Sequence, residues 1–136
     1  MNDELLQRVE HLAQAGGRLF LATAATDGTP HLATAGELKV MSGVQLRVTA
    51  WFCPVTMENL LQNRRVALVV LSPEGDEGFQ VLADVTAVED LAMMDGFAPE
   101  VEAGAQFPQV ERALLMEVDR VLAFQDAPHN DEALAT

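Results

Sequence analysis

Several residue types are scarce in this chain of 136 residues. It has a single cysteine, Cys53, so no disulfide forms within the chain, which agrees with a reducing compartment. It has eight basic residues against 21 acidic ones, a balance that disfavours binding to nucleic acids and to anionic membranes. No apolar run reaches the roughly 18 residues needed to span a bilayer. The N-terminal segment also lacks the basic and apolar regions of a signal peptide, and we expect a cytoplasmic protein.

The sequence also lacks the common motifs of enzymes and metal sites. Neither GxGxxG nor GxxxxGK[ST] occurs, so the usual glycine-rich phosphate loops are absent. The three histidines, His11, His31 and His129, have no second His or Cys at ligand spacing. No set of nucleophile, base and orienting residue stands out. We therefore predict no metal and no catalytic side chain.

Two residues allow a structural and a functional interpretation. Cys53 precedes Pro54 at a predicted helix start, a position typical of reactive thiols, although a buried inert thiol is the commoner case. His31 follows a hairpin turn at a strand start, where a structural role is again the commoner one. The sequence leaves both alternatives open.

Apolar periodicity predicts a mainly β domain over residues 1–125, followed by an acidic tail at 126–136. Residues 2–15 form an amphipathic helix that ends at two glycines. Asp27-Gly28 predicts a hairpin turn between the first two strands. The six expected strands cover residues 18–26, 30–42, 44–51, 65–72, 79–90 and 113–124, with residues 36–42 extending or following the second strand. Short strands joined by tight turns favour an antiparallel barrel.

A short helix is predicted in the segment TAWFCPVTMENLLQNRRVALVVL, residues 49–71. It follows the end of one strand, begins at Pro54 and leads into a buried strand. A helix N-terminus presents unpaired N–H groups that suit a phosphate. However, the first turn, CPVTMEN at residues 53–59, contains neither Lys nor Arg.

Three motifs carry a resemblance to a known family: DGTPH at 27–31, NLLQNRRVAL at 59–68 and GFQVLADVTAVED at 78–90. In this order and spacing they resemble the FMN-binding split-barrel family, the pyridoxamine 5′-phosphate oxidase-like proteins. The most similar branch is that of the small single-domain FMN-binding proteins of anaerobic bacteria. The resemblance covers most of the chain, from Leu5 to Phe124.

The resemblance implies a six-stranded antiparallel split β-barrel that forms a homodimer, with FMN in a groove at the dimer interface. It implies an oxidoreductase or an electron carrier in which the flavin performs the chemistry. The isoalloxazine ring would lie against the second strand, at residues 32–36, and the ribityl phosphate against the end of the third strand, at residues 48–51, and the start of the short helix. The implied cofactor-binding residues are Leu32, Thr34, Ala35, Thr49, Ala50, Trp51, Thr56 and Met57.

The chain departs from the family at the phosphate. The family's usual Ser-Arg-Lys positions fall on Pro54, Val55 and Thr56, which leaves the Thr56 hydroxyl and the N–H groups of Thr56 and Met57. Each lost charge-assisted bond is worth about 1.5–3 kcal/mol. Lys39, Arg47 or an arginine of a second subunit are alternative phosphate ligands. The competing hypotheses are a non-catalytic split-barrel dimer that has lost FMN or binds another flat ligand, and a flavin reductase or deazaflavin relative.

Overall fold

Two helices and eight strands make up the part of the chain that the computed structural model describes, residues 3–94, 109–126, 128 and 131–135. His129 lies outside these residues. Neither helix is long and apolar enough to cross a membrane. The elements are α1 (Asp3–Gln14), β1 (Arg18–Ala24), β2 (Pro30–Thr34), β3 (Glu37–Val40), β4 (Gln45–Ala50), α2 (Pro54–Gln62), β5 (Arg65–Leu71), β6 (Gly78–Met94), β7 (Gln109–Ala123) and β8 (Ala133–Ala135).

All the strands belong to one antiparallel sheet with the order β2-β1-β5-β6-β7-β4-β3, and β8 pairs with β7. The two edge strands, β2 and β3, are consecutive in the chain and are separated only by Ala35 and Gly36. The sheet must therefore curl so that its two edges come near each other at this link, which we call the seam (Ala35 and Gly36). At this seam the N–H of Ala35 donates to the Leu19 carbonyl at 3.0 Å, and that of Gly36 donates to the Thr49 carbonyl at 2.9 Å. The predicted antiparallel, mainly β fold is confirmed as a curled sheet that stays open.

The strand count differs from the six predicted, since the described residues form eight strands. The chain passes at Gly36 from pairing with β1 to pairing with β4, so the expected second strand divides into β2 and β3. In addition, part of the expected tail, Ala133–Ala135, forms the short strand β8. The boundary predicted between the domain and the tail stays a prediction.

The core lies on the inner face of the curled sheet, where every second residue of the strands is buried. Helix α1 covers part of this face with Leu6 and Val9, which are fully buried. Glu10 of α1 also accepts a hydrogen bond from the N–H of Val40 at 2.6 Å, which covers a free backbone group of edge strand β3. The fully buried strand residues are Leu21, Leu38, Leu46, Val48, Leu68, Val70, Val81, Ala83, Ala113, Leu114, Met116 and Val121.

Candidate functional site

The predicted hairpin turn sets the position of β2. Gly28 adopts a φ of 89°, which favours glycine, and the Asp27 carboxylate accepts a hydrogen bond from the N–H of Thr29 at 2.9 Å. This bond to the backbone is the main cause of the lowered pKa of Asp27. The turn fixes the pairing of β1 with β2 so that His31 lies opposite Thr23. A local signal, the DG dipeptide, therefore determines where His31 lies.

Helix α2 begins beside this hairpin. Cys53 is its N-cap residue, and no side-chain hydrogen bond caps the helix. Pro54 occupies the first turn, as expected from its fixed φ and its missing N–H. The first turn contains no acidic residue. Since α2 packs against β1 and β2, its N-terminal residues meet the inward side chains of the hairpin.

Three polar side chains meet there, and we call them the His31–Cys53–Thr56 cluster. The Sγ atom of Cys53 lies 3.9 Å from Nε2 of His31 and 3.2 Å from Oγ1 of Thr56. The same Oγ1 atom lies 3.5 Å from Nδ1 of His31. Thr56 is fully buried, whereas His31 and Cys53 are half-buried. The three groups thus form a closed ring of polar contacts between β2 and the start of α2.

A second polar pair lies deeper in the same interface. The side-chain amide of Asn59 donates to the hydroxyl of Thr23 at 3.0 Å, and both residues are buried. Within the described ranges every buried side-chain nitrogen or oxygen has a hydrogen-bond partner. The contact between α2 and the β1–β2 hairpin is therefore polar and fully satisfied, in contrast to the apolar core.

The residues predicted to bind the flavin ring lie on β2 and at the seam. Leu32 and Thr34 occupy the outer face of β2, and the Leu32 side chain is 63% exposed. Ala35 is half-buried. The hydrogen bond from Gly36 to Thr49 brings Ala35 close to the end of β4, where Thr49 and Ala50 lie.

The remaining predicted residues lie after β4. Trp51 is 44% exposed, and Met57 is half-buried against the core. Thr56 is fully buried and its hydroxyl contacts His31 and Cys53. The structure therefore brings Ala35, Thr49 and Ala50 together at the seam and draws the Thr56 hydroxyl inward. Flavin binding by all eight residues stays a prediction.

The alternative phosphate ligands within this chain, Lys39 and Arg47, lie opposite each other on the neighbouring strands β3 and β4. Arg65 forms ion pairs with Asp84 at 3.1 Å and Asp119 at 2.6 Å. The hydrogen bond from Arg65 is the main cause of the lowered pKa of Asp119.

Sequence reasoning did not assign His31 to the site, although DGTPH was recognised. The hairpin register is readable from the DG turn, but the contact with Cys53 joins residues 22 positions apart and depends on how α2 packs. The described part of the chain contains no group of three or more His, Cys, Asp or Glu residues suited to a metal ion.

Solved structures provide the comparison that decides the fold. An FMN-binding protein from Syntrophomonas wolfei superposes with a TM-score of 0.66 at 18% identity, over 93% of this chain and 89% of that protein. A pyridoxamine 5′-phosphate oxidase-related, FMN-binding protein from Nostoc punctiforme has a TM-score of 0.62 at 15% identity, over 98% and 97%. The chain has the split-barrel fold. An F420 reductase is also similar, with a TM-score of 0.55 at 20% identity, over 82% of this chain and 94% of that protein.

Comparison of the sequence alone finds no relative: no protein-family model and no curated protein matches the chain. At the identities of these structures, the likeness establishes the split barrel and leaves the ligand to be inferred from the site itself.

Proposed function

We propose that this split barrel binds FMN at the interface of a homodimer and acts as an oxidoreductase or electron carrier. The observation that carries the proposal is the extent of the shared fold, which covers 93% and 98% of the chain in comparisons with two proteins described as FMN-binding. A bound flavin supplies the hydride or electron chemistry itself. The protein then needs to bind, orient and shield it, which agrees with the absence of a predicted catalytic side chain.

The surface around β2 and the end of β4 fits a flat aromatic ring. Leu32 and Trp51 expose large apolar side chains, which suit stacking or edge contact with a ring system. The backbone of Ala35 and Gly36 lies beside that of Thr49 at the seam. The N–H groups of Ala35 and Gly36 are already paired within the sheet, so a ring at this position would be oriented by other backbone groups of these strands.

The start of α2 fits a phosphate through backbone groups. Pro54 has no N–H, and the N–H of Met57 donates to the Cys53 carbonyl at 3.3 Å. The N–H groups of Val55 and Thr56 in this first turn have no partner within the helix. They carry the partial positive charge of a helix N-terminus, and no acidic residue in the first turn opposes it.

A homodimer would cover apolar surface that the monomer exposes. Large apolar side chains exposed on β2, after β4 and near the end of α2 include Leu32, Trp51 and Leu61. Leu61 is 77% exposed, the largest fraction among the exposed large apolar side chains of the described residues. These residues support a second copy as the partner that completes the flavin groove.

A second candidate is a split-barrel dimer that has lost FMN or binds another flat ligand. The positions Pro54, Val55 and Thr56 offer no charged side chain, and the Thr56 hydroxyl is engaged with His31 and Cys53. A deazaflavin is a further alternative ligand, favoured by the similarity to an F420 reductase.

The deciding experiment is an absorbance spectrum of the purified protein, followed by titrations with FMN and with riboflavin and by sedimentation at micromolar concentration. We expect a yellow protein or micromolar FMN binding, and a dimer. Val55→Lys would place a cation at an exposed first-turn position and should tighten FMN at least tenfold while leaving riboflavin unchanged. A colourless protein that binds neither flavin would contradict the proposal, and a monomer would contradict the shared groove.

A further inference from the structure

The His31–Cys53–Thr56 cluster has a chemistry of its own that flavin binding does not use. It contains the only cysteine of the chain, and it joins that thiol to an imidazole from a different element. The contacts between Sγ and Nε2 at 3.9 Å and between Sγ and Oγ1 of Thr56 at 3.2 Å are within hydrogen-bond reach for sulfur. A thiol beside an imidazole that a third group orients is the arrangement of activated nucleophiles.

The contacts give the thiol proton an acceptor within the cluster. When Nδ1 of His31 carries the ring proton, the Cys53 thiol donates to Nε2 across 3.9 Å and the Thr56 hydroxyl donates to sulfur across 3.2 Å. After the thiol proton moves to Nε2, the thiolate still accepts from the Thr56 hydroxyl. The Thr56 hydroxyl oxygen also lies 3.5 Å from Nδ1, so it packs against the imidazole as well as the sulfur.

The sulfur lies at the start of a helix. Cys53 is the N-cap residue of α2, where the helix presents partial positive charge, and the first turn contains no carboxylate. Cys53 and His31 are half-buried, whereas Thr56 is fully buried.

We propose that Cys53 is a site of oxidation by hydroperoxides, with His31 as the proton acceptor and Thr56 as the residue that positions the imidazole. The Cys53 thiolate attacks one oxygen of the hydroperoxide, so an S–O bond forms and the O–O bond breaks. Sulfur loses two electrons and becomes a sulfenic acid, and the peroxide is reduced. The leaving hydroxide or alkoxide takes the proton from Nε2 of His31 and departs as water or alcohol.

The test uses the reduced, full-length protein at pH 6.5, where an ordinary thiol is about 1% ionised. Hydrogen peroxide is added with dimedone, which traps sulfenic acid, and the adduct is followed by intact mass. The rate at which iodoacetamide alkylates Cys53 gives a second measure of thiol reactivity that does not involve peroxide. We expect both second-order rate constants to exceed those of glutathione by at least tenfold. Because the chain has one cysteine, Cys53→Ser must abolish both adducts.

Variants separate the roles within the cluster. His31→Gln should lower both rates at least tenfold, whereas His11→Gln, at an exposed position of α1, should leave them unchanged. Thr56→Val should lower the rates, and Thr56→Ser should restore them because it retains the hydroxyl. Circular dichroism on each variant verifies that it is folded.

Two results would overturn the inference. One is a wild-type rate equal to that of glutathione, a comparison that needs no variant to fold. The other is a folded His31→Gln protein that reacts as fast as the wild type. Neither readout requires a flavin, so this proposal and the proposed function fail or succeed separately.

Discussion

Gly36 and Thr49 join the chain just before β3 to the end of β4. The N–H of Gly36 donates to the Thr49 carbonyl at 2.9 Å, and a Cβ at position 36 would lie 2.8 Å from that same oxygen. A side chain at position 36 therefore does not fit without a shift of the backbone. The proposed ring-binding residues Ala35 and Ala50 flank this contact, so its geometry shapes the groove.

Replacing Gly36 tests the seam directly. We expect Gly36→Ala to lower the free energy of unfolding by about 1–3 kcal/mol, because the new methyl group must push the chain at position 36 away from the Thr49 carbonyl of β4. Urea denaturation measures the change. Ser42→Ala, at an exposed turn position, is the control and should stay within about 0.5 kcal/mol of wild type. An unchanged midpoint for Gly36→Ala would show that the seam accommodates a side chain.

The buried pair of Thr23 and Asn59 gives a second prediction. Thr23→Val removes the acceptor of the Asn59 amide, and we expect a loss of about 1–3 kcal/mol in the free energy of unfolding because the amide stays buried without a partner. Asn59→Leu in the same background removes the unsatisfied group. The double variant should therefore be more stable than the sum of the two single changes predicts. Strict additivity in a denaturant-based double-mutant cycle would argue against coupling.

The ion pair of Arg65 with Asp119 predicts a small, salt-dependent effect. Both side chains are nearly half exposed, so Arg65→Gln should cost less than about 1 kcal/mol at low ionic strength and nothing measurable at 1 M salt. The hydrogen bond from Arg65 holds the pKa of Asp119 below its ordinary value of 3.8. The contribution of this carboxylate to stability is present above that value and is lost as the pH falls through its folded-state pKa.

Carboxyl titration by NMR checks this assignment. In the Arg65→Gln protein the pKa of Asp119 should rise toward its ordinary value, because its main hydrogen-bond donor is gone. Arg18→Gln is the control, since Arg18 at the start of β1 has no role in the lowered pKa of Asp119. A titration of Asp119 that Arg65→Gln leaves unchanged would assign the lowered pKa to another group.

Trp51 reports on the proposed flavin groove without any label. It is the only tryptophan and is 44% exposed after the end of β4. If FMN lies beside it, we expect titration with FMN to quench its emission, and the quenching should saturate at the same concentration as the flavin absorbance change. Free N-acetyltryptophanamide corrects for light absorption by FMN. If FMN binds and the emission of Trp51 does not change, the flavin ring does not lie beside this residue.

The sequence by itself determined the local elements and the fold class. Alternating apolar residues predicted most of the strands, the DG pair predicted the turn before His31, and Pro54 predicted the start of α2. These signals are local, because they depend on backbone preferences and on which side of a strand is buried. The acidic composition and the missing cations of the first turn of α2 were likewise readable without a structure.

The tertiary structure decided which distant groups meet. A glycine at position 36 indicates a bulge or a close approach of another backbone, but only the folded chain shows that Thr49 is the partner and that the expected second strand divides there. The contact between His31 and Cys53 depends on α2 packing across the β1–β2 hairpin. Periodicity shows that a residue is turned inward, but its partner there is chosen by packing between segments that lie far apart in the chain. The thiol–imidazole cluster therefore became visible only in the folded protein.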